Sequence, residues 1–412
     1  MTAETATVEA VHDFTAKLLQ PEVRPVLFAY LDWRRKVRRA LSEGAPPPPA
    51  PPFGPLSINL DLTTACNYAC DHCIDWDSLN SPVRHEDGRL RASLDELVRR
   101  GLRSVILIGG GEPTLHPGFT SMVAFLKGHG LQVAVVSNGS RNDRILAAAP
   151  RFTRGDWVRL SLDAGRDATF QAMHRPRGRG ITLEGICRSI DRIKACNPDL
   201  VIGFSFVIVW KGNSRDGVPL LDNVEEIPAA AELALRSGFD YISFKPCLMR
   251  TEEGAEVMAA SGGKGGGASL PARIRAGLDS AGALENGSFR VLQSLNLKVF
   301  LEGRGEDFTR QPRECHMQAL RQVLSPLGTF NCPAHRSVPR ARLGNAAAWA
   351  EEGREARAGT ARLLNTFHAD QECREVTCLY NPVNWFLERM IESGEDLEDA
   401  LGIHPTLGDF FL

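Results

Sequence analysis

The chain has 412 residues, 43% of them hydrophobic, enough for a sizeable core and more than one ordinary domain needs. Its formal charge of −2 gives no electrostatic case for a nucleic-acid partner, and no run of 18 apolar residues suggests a membrane span. Met1 to Lys17 is mixed polar and acidic and reads as no signal peptide, so ten cysteines point to a reducing, cytoplasmic compartment where thiols bind metal instead of pairing.

In chain order, residues 7–42 carry apolar side chains at helical spacing, including Val8, Val11, Phe14 and Leu18, then Leu27, Leu31 and Val37. They lead into a polyproline spacer at 44–52, so 1–55 is expected to be a helical arm and linker, too short for a separate leader-peptide-binding domain. From 56 to 247, short apolar runs alternate with longer helical segments. Strands are predicted at 56–62, 103–109, 131–137, 157–163, 200–209 and 240–246. Six βα repeats imply an α/β fold, a parallel sheet curved into a partial (β/α)6 TIM-like barrel over 56–250. Chemistry in such folds gathers at the carboxyl ends of the strands.

The residues at those ends are therefore the place to look for a site. The first strand runs into Cys66, Cys70 and Cys73, spaced C-x3-C-x2-C. Soft thiolates on one short loop suit zinc or an iron–sulfur cluster, and three ligands where four are usual leave one metal position open. The second strand ends in Gly109, Gly110, Gly111, Glu112 and Pro113, and the third in Ser137, Asn138 and Gly139. The fourth ends in Ser161 and Asp163, and the sixth in Lys245 and Cys247.

On these motifs, residues 56–247 resemble a radical S-adenosylmethionine (SAM) enzyme. The resemblance implies that Cys66, Cys70 and Cys73 hold three irons of a [4Fe–4S] cluster, with His72 in the loop's aromatic position, and that the fourth iron chelates SAM. It implies cofactor contacts from Gly110, Gly111, Glu112 and Pro113, from Ser137 and Asn138, and from Ser161. Arg175 or Arg177 is a candidate partner for the SAM carboxylate.

Residues 251–300 read as a glycine-rich flexible insert and connector. In 301–412, Cys315 precedes and Cys332 follows a predicted hairpin turning at Pro-Leu-Gly; a helix is predicted over 344–366, and Cys373 and Cys378 come next, with an amphipathic helix beyond Asn381. This part resembles the small twitch domain, a shortened relative of the SPASM domain, which implies a second, auxiliary [4Fe–4S] cluster. Its last pair, spaced C-x4-C, is wider than the C-x2-C of that domain, which puts ligation by Cys378 in doubt; zinc is the alternative occupant.

Cys187 and Cys196 read as packing residues. Cys247 sits where a thiol could give a hydrogen atom to a substrate radical, and Lys245 and Arg250 are candidate substrate contacts. Asp163, His174 and Lys245 are candidates for a general base. A four-cysteine cluster has no open iron, which favours relaying an electron and hence dehydrogenation of a small hydroxylated substrate. Epimerisation through Cys247, maturation of a ribosomal peptide, and a non-enzymatic iron–sulfur or zinc scaffold are the alternatives. A monomer is expected, served by a reductant such as flavodoxin or ferredoxin.

Overall fold

The computed structural model describes residues 13–49, 51–250, 256–258 and 269–412. The start of the expected first helix and the glycine-rich part of the expected flexible insert lie outside the described residues.

All six expected strands form: β1 (Ser57–Leu60), β2 (Ser104–Leu107), β3 (Gln132–Ser137), β4 (Trp157–Ser161), β5 (Val201–Ile208) and β6 (Tyr241–Pro246). Helices between them include Asp87–Arg99, Phe119–Gly128 and Ile227–Arg236. Every second strand residue, such as Val105, Val133, Val158, Phe204 and Ile242, is fully buried against these helices. The intervening residues are left to line the concave face.

The sheet continues beyond the six strands at both edges. Residues 269–300, assigned to a flexible connector, form a helix (Leu270–Gly282), the strand β7 (Arg290–Gln293) parallel to β6, and a helix (Leu295–Glu302). The reason is burial: Ile274, Leu278, Phe289 and Leu297 enter the core, whatever the composition of the neighbouring glycine-rich stretch. At the other edge β8 (Arg321–Ser325) pairs parallel with β1 and antiparallel with β9 (Gly328–Phe330), which pairs with β10 (Arg342–Gly344). The order is β7-β6-β5-β4-β3-β2-β1-β8-β9-β10. The expected C-terminal hairpin is thus an extension of the barrel sheet. The helix predicted from 344 starts at Arg354, because β10 takes 342–344 and Gly353 sits at φ +63° just before it.

The long N-terminal helix, Arg24–Ser42, packs on the C-terminal part through Tyr30, Leu31 and Val37 against Met317, Leu320 and Leu387. Its buried Arg34 pairs with Glu314 at 2.7 Å and donates to Asn365 at 2.9 Å. The segment 402–412 runs beneath the barrel, at the first residues of the strands. Ser104 Oγ donates to the Phe410 carbonyl at 2.8 Å, the Gln132 side chain exchanges hydrogen bonds with Gly408 and Phe410, and Lys17 pairs with Asp409 at 2.8 Å. Phe411 is thereby buried against Ile106, Ala134 and Trp157. Among the described residues no helix is long and apolar enough to cross a membrane.

Buried Arg336 ties the C-terminal part to the mouth of the barrel, 3.2 Å from Asp61 and 2.7 Å from Asp75. Removing one partner of a buried pair strands the others. Arg336→Gln is expected to lower stability by about 3–5 kcal/mol, read as an earlier urea-unfolding midpoint.

Candidate active site

The register of β4, β5 and β6 sets three rows of side chains on the concave face. Arg159, Gly203 and Tyr241 are aligned, then Ser161, Ser205 and Ser243, then Val207 and Lys245 beside Asp163 at the strand ends. Of these, Arg159, Ser161, Asp163, Val207, Ser243 and Lys245 line a cavity of about 560 Å³, with Ile106, Trp157 and Phe411 below and Cys70, Cys73 and Asn138 above.

At its mouth lies the Cys66–Cys73 loop. Burial raises all three thiols, and Cys73 and Cys66 push Cys70 up further; burial and Asp75 bring Cys73 to about 12. Such crowding of protonated thiols is relieved when a metal cluster takes the thiolates. The loop is held against the second strand end by close approach. Gly110 has φ +57°, and a Cβ on Gly111 would meet the Thr64 backbone at 2.5 Å.

Glu112 is buried, and its carboxylate accepts from Thr114 N at 3.0 Å, Ser137 Oγ at 2.8 Å and Asn138 N at 2.7 Å. It therefore ties the end of β2 to the end of β3. Pro113 opens the short turn after it, where its missing N–H costs nothing. Asn138 Nδ2 donates to Asn67 Oδ1 at 3.0 Å, within the cysteine loop.

His72 turns its Nε2 to Asp163 Oδ2 at 2.9 Å, leaving its buried Nδ1 without a hydrogen-bond partner. Asp163, at φ +49°, also accepts from Val207 N at 2.7 Å. Burial would raise this carboxyl, but the His72 hydrogen bond holds it below the usual carboxylate range. So held, the Asp163 carboxylate faces two imidazoles, His72 at 2.9 Å and His174 at 3.4 Å, and can orient both rings. His174 Nε2 lies 3.0 Å from the Leu162 carbonyl and must donate to it, so in the neutral ring Nδ1, 3.1 Å from Cys70 Sγ, accepts from the thiol. Burial outweighs Asp163 and keeps His174 down at about 4. The ligand atoms of His72, Asp163 and His174 are also close enough to share one metal ion.

Three other candidates do not line the cavity, although Arg175 and Arg177 contact the cysteine loop. Arg175 is exposed and paired with Asp71 at 2.7 Å, Arg250 is paired with Asp77 at 2.7 Å, and Arg177 donates its backbone N–H to Asn67 O at 2.8 Å. Arg175, paired and solvated, gains little by turning inward. Ser161 and Lys245 do line the cavity, with Lys245 Nζ 3.3 Å from Ser205 Oγ. Cys247 lines it too, buried, its thiol pushed up to about 12 by burial and Asp163. Cys187 is buried as expected, whereas Cys196 is exposed, since it ends a short helix at the surface.

Cys315, Cys332, Cys373 and Cys378 line one further cavity. Burial, then the neighbouring thiols, raise Cys373 and Cys378 well above the ordinary range, so the C-x4-C spacing does not keep Cys378 from the others. Arg159, Arg321, His335 and Phe411 line these two cavities and were not anticipated. Arg159 and Arg321 could have been found from strand alternation; Phe411 carries no local signal.

Residues 60–223 match the model of the radical SAM superfamily. The chain contains a radical SAM domain. Similar proteins include an S-adenosylmethionine-dependent nucleotide dehydratase of a Thermoplasmatales archaeon (strain ISO4-H5), 30% identical over 45% of this chain and 64% of that protein. The mycofactocin maturase MftC of Mycobacterium tuberculosis (strain ATCC 25618 / H37Rv) is 29% identical over 44% of each chain. The chain thus covers less than two thirds of either relative. In fold, it is similar to Streptococcus suis SuiB, with a TM-score of 0.54 and 12% identity over 91% of this chain and 80% of that one. A radical SAM domain takes a [4Fe–4S] cluster and SAM, and three thiols at the cavity mouth are the donor set that such a cluster needs.

The contact at Gly111 gives a direct test. Gly111→Ala is expected to destabilise by about 1–3 kcal/mol through overpacking, whereas Gly128→Ala, in open space at the end of its helix, should stay within about 1 kcal/mol of the parent. Thermal unfolding of both variants measures the contrast.

Proposed function

We propose that this protein is a radical SAM enzyme that oxidises a substrate seated in the barrel cavity. Cys66, Cys70 and Cys73 hold the SAM-binding cluster; Cys315, Cys332, Cys373 and Cys378 hold an auxiliary [4Fe–4S] cluster. The carrying observation is Arg321, which lines both the barrel cavity and the four-cysteine cavity, so substrate and second cluster site are separated by a single side-chain wall. When bound, the first cluster with SAM supplies a 5′-deoxyadenosyl radical that removes a substrate hydrogen, and the second supplies a sink for the remaining electron.

The chain's own residues do the rest. Glu112, Gly110 and Gly111 fix the loop that faces the cysteines, Ser137 and Asn138 anchor that loop to β3, and the His174 carbonyl, accepting from Ala69 N at 3.1 Å, holds the cysteine loop beside Cys70. Ile106, Trp157 and Phe411 floor the cavity with apolar surface and limit water around a reactive intermediate. A relative named as a maturase and a structural neighbour solved with its precursor peptide favour a second reading, in which the substrate is a ribosomal peptide. Cys247, a protonated thiol on the cavity wall, is the residue on which epimerisation would depend.

Anaerobic reconstitution is expected to load about eight irons per chain, two four-iron clusters, and with SAM and a flavodoxin or chemical reductant to release 5′-deoxyadenosine. Cys373→Ser together with Cys378→Ser should lower the count to about four irons. A fully loaded protein that never cleaves SAM overturns the reading. Cys247→Ala should leave an oxidised product unchanged; its loss would turn the reaction to hydrogen return.

A further inference from the structure

The cavity wall formed by β4, β5 and β6 carries two basic side chains with no carboxylate partner, and burial and then Arg159 hold the Lys245 amine well below its ordinary range, which an anion beside it would reverse. Arg159 projects from the middle of β4 and Lys245 from the end of β6, on either side of the row Ser161, Ser205 and Ser243. Among the described residues neither cation forms an ion pair. Two side-chain carboxylates line the cavity, and both are engaged: Asp163 by His72 and His174, Asp409 by Lys17. The Arg159 Nε is buried without a hydrogen-bond partner, its guanidinium 5.3 Å from the Trp157 ring centre.

The wall is also built to hold this arrangement. Gly203 separates Arg159 from Tyr241 in the same row, and a Cβ there would meet the Tyr241 ring at 2.0 Å. The glycine therefore lets the phenol lie across β5 toward the arginine. Like charges left in a low-dielectric wall are costly unless an opposite charge joins them. A guanidinium offers a planar fork to two oxygens, an ammonium adds a point charge, and the hydroxyls of Ser161 and Ser243 supply neutral donors.

We propose that this wall binds an anionic group of the substrate, a phosphate or a carboxylate, with Arg159 and Lys245 as the charged contacts and Ser161 and Ser243 between them. The anionic end then sits toward the Trp157 floor, and the part of the substrate that reacts faces the cysteine loop. The site rests on the proposed function only in being the substrate's.

The test uses the full-length reconstituted protein, titrated calorimetrically at constant ionic strength with inorganic pyrophosphate and, separately, with malonate. Saturable binding of at least one probe is expected, and the tighter probe tells a phosphate site from a carboxylate site. Arg159→Gln or Lys245→Met should raise Kd about tenfold or more, while exposed Arg154→Gln should not change it. If Arg159→Gln fails to fold, Ser243→Ala takes its place, with an expected rise of about threefold. Neither probe saturating, or equal affinity in all variants, overturns the site. So does abolition of anion binding by saturating SAM, which would give the wall to the SAM carboxylate. Release of 5′-deoxyadenosine is scored separately on the unchanged protein: anion binding without it overturns the proposed function and keeps the site, and the converse keeps the function and removes the site.

Discussion

Strand β1 is hydrogen-bonded on both sides by parallel neighbours, β2 and β8, and the rest of the molecule depends on that pairing. Ser57 faces Ser104 on one side and Arg321 on the other, so the register of both neighbours is set from one short strand. The loop leaving β1 carries Cys66, Cys70 and Cys73. The loop leaving β2 carries Gly110, Gly111 and Glu112 and is pressed against it. The hairpin that begins at β8 ends near Cys332. Phe330 faces Val323, so the hairpin carries Cys332 back toward the Arg321 end of β8, while the Cys66 loop leaves the opposite end of β1.

Charge is handled in two ways. Where the N- and C-terminal parts meet the barrel, buried cations are fully matched: Arg34 with Glu314, and Arg336 with Asp61 and Asp75. Such pairs contribute little net stability compared with apolar contacts, but they are costly to break singly and so fix how the parts sit. Inside the barrel the matching stops at Asp163, which is shared by two histidines. Arg159 and Lys245 keep their donors for the cavity.

The strands and the cysteine loop were legible in the sequence because their signals are local: alternation along 157–163, or three thiols within eight residues. The features that stayed hidden depend on distant partners. Residues 269–300 looked like part of a mobile connector until Phe289 and Leu297 found a core to enter. Arg175 has the right chemistry for a carboxylate, yet Asp71 claims it from the cysteine loop itself. Asp163 was visible as a strand-end carboxylate, while its capture by His72 requires the β1 and β4 loops to meet. The floor under the cavity, Phe411, has no pattern at all; its place comes from Ser104, Gln132 and Lys17 holding the backbone of 408–411.

Arg321 presents one guanidinium to two chambers. In a low-dielectric wall a charge on one side is felt on the other with little screening, since water does not intervene. A change in charge among the four cysteines therefore alters the potential at the barrel cavity, and an anion entering the barrel alters the potential at the cysteines. The two chambers share an electrostatic wall: a sequence change that alters the charge in one carries a consequence for what the other will hold.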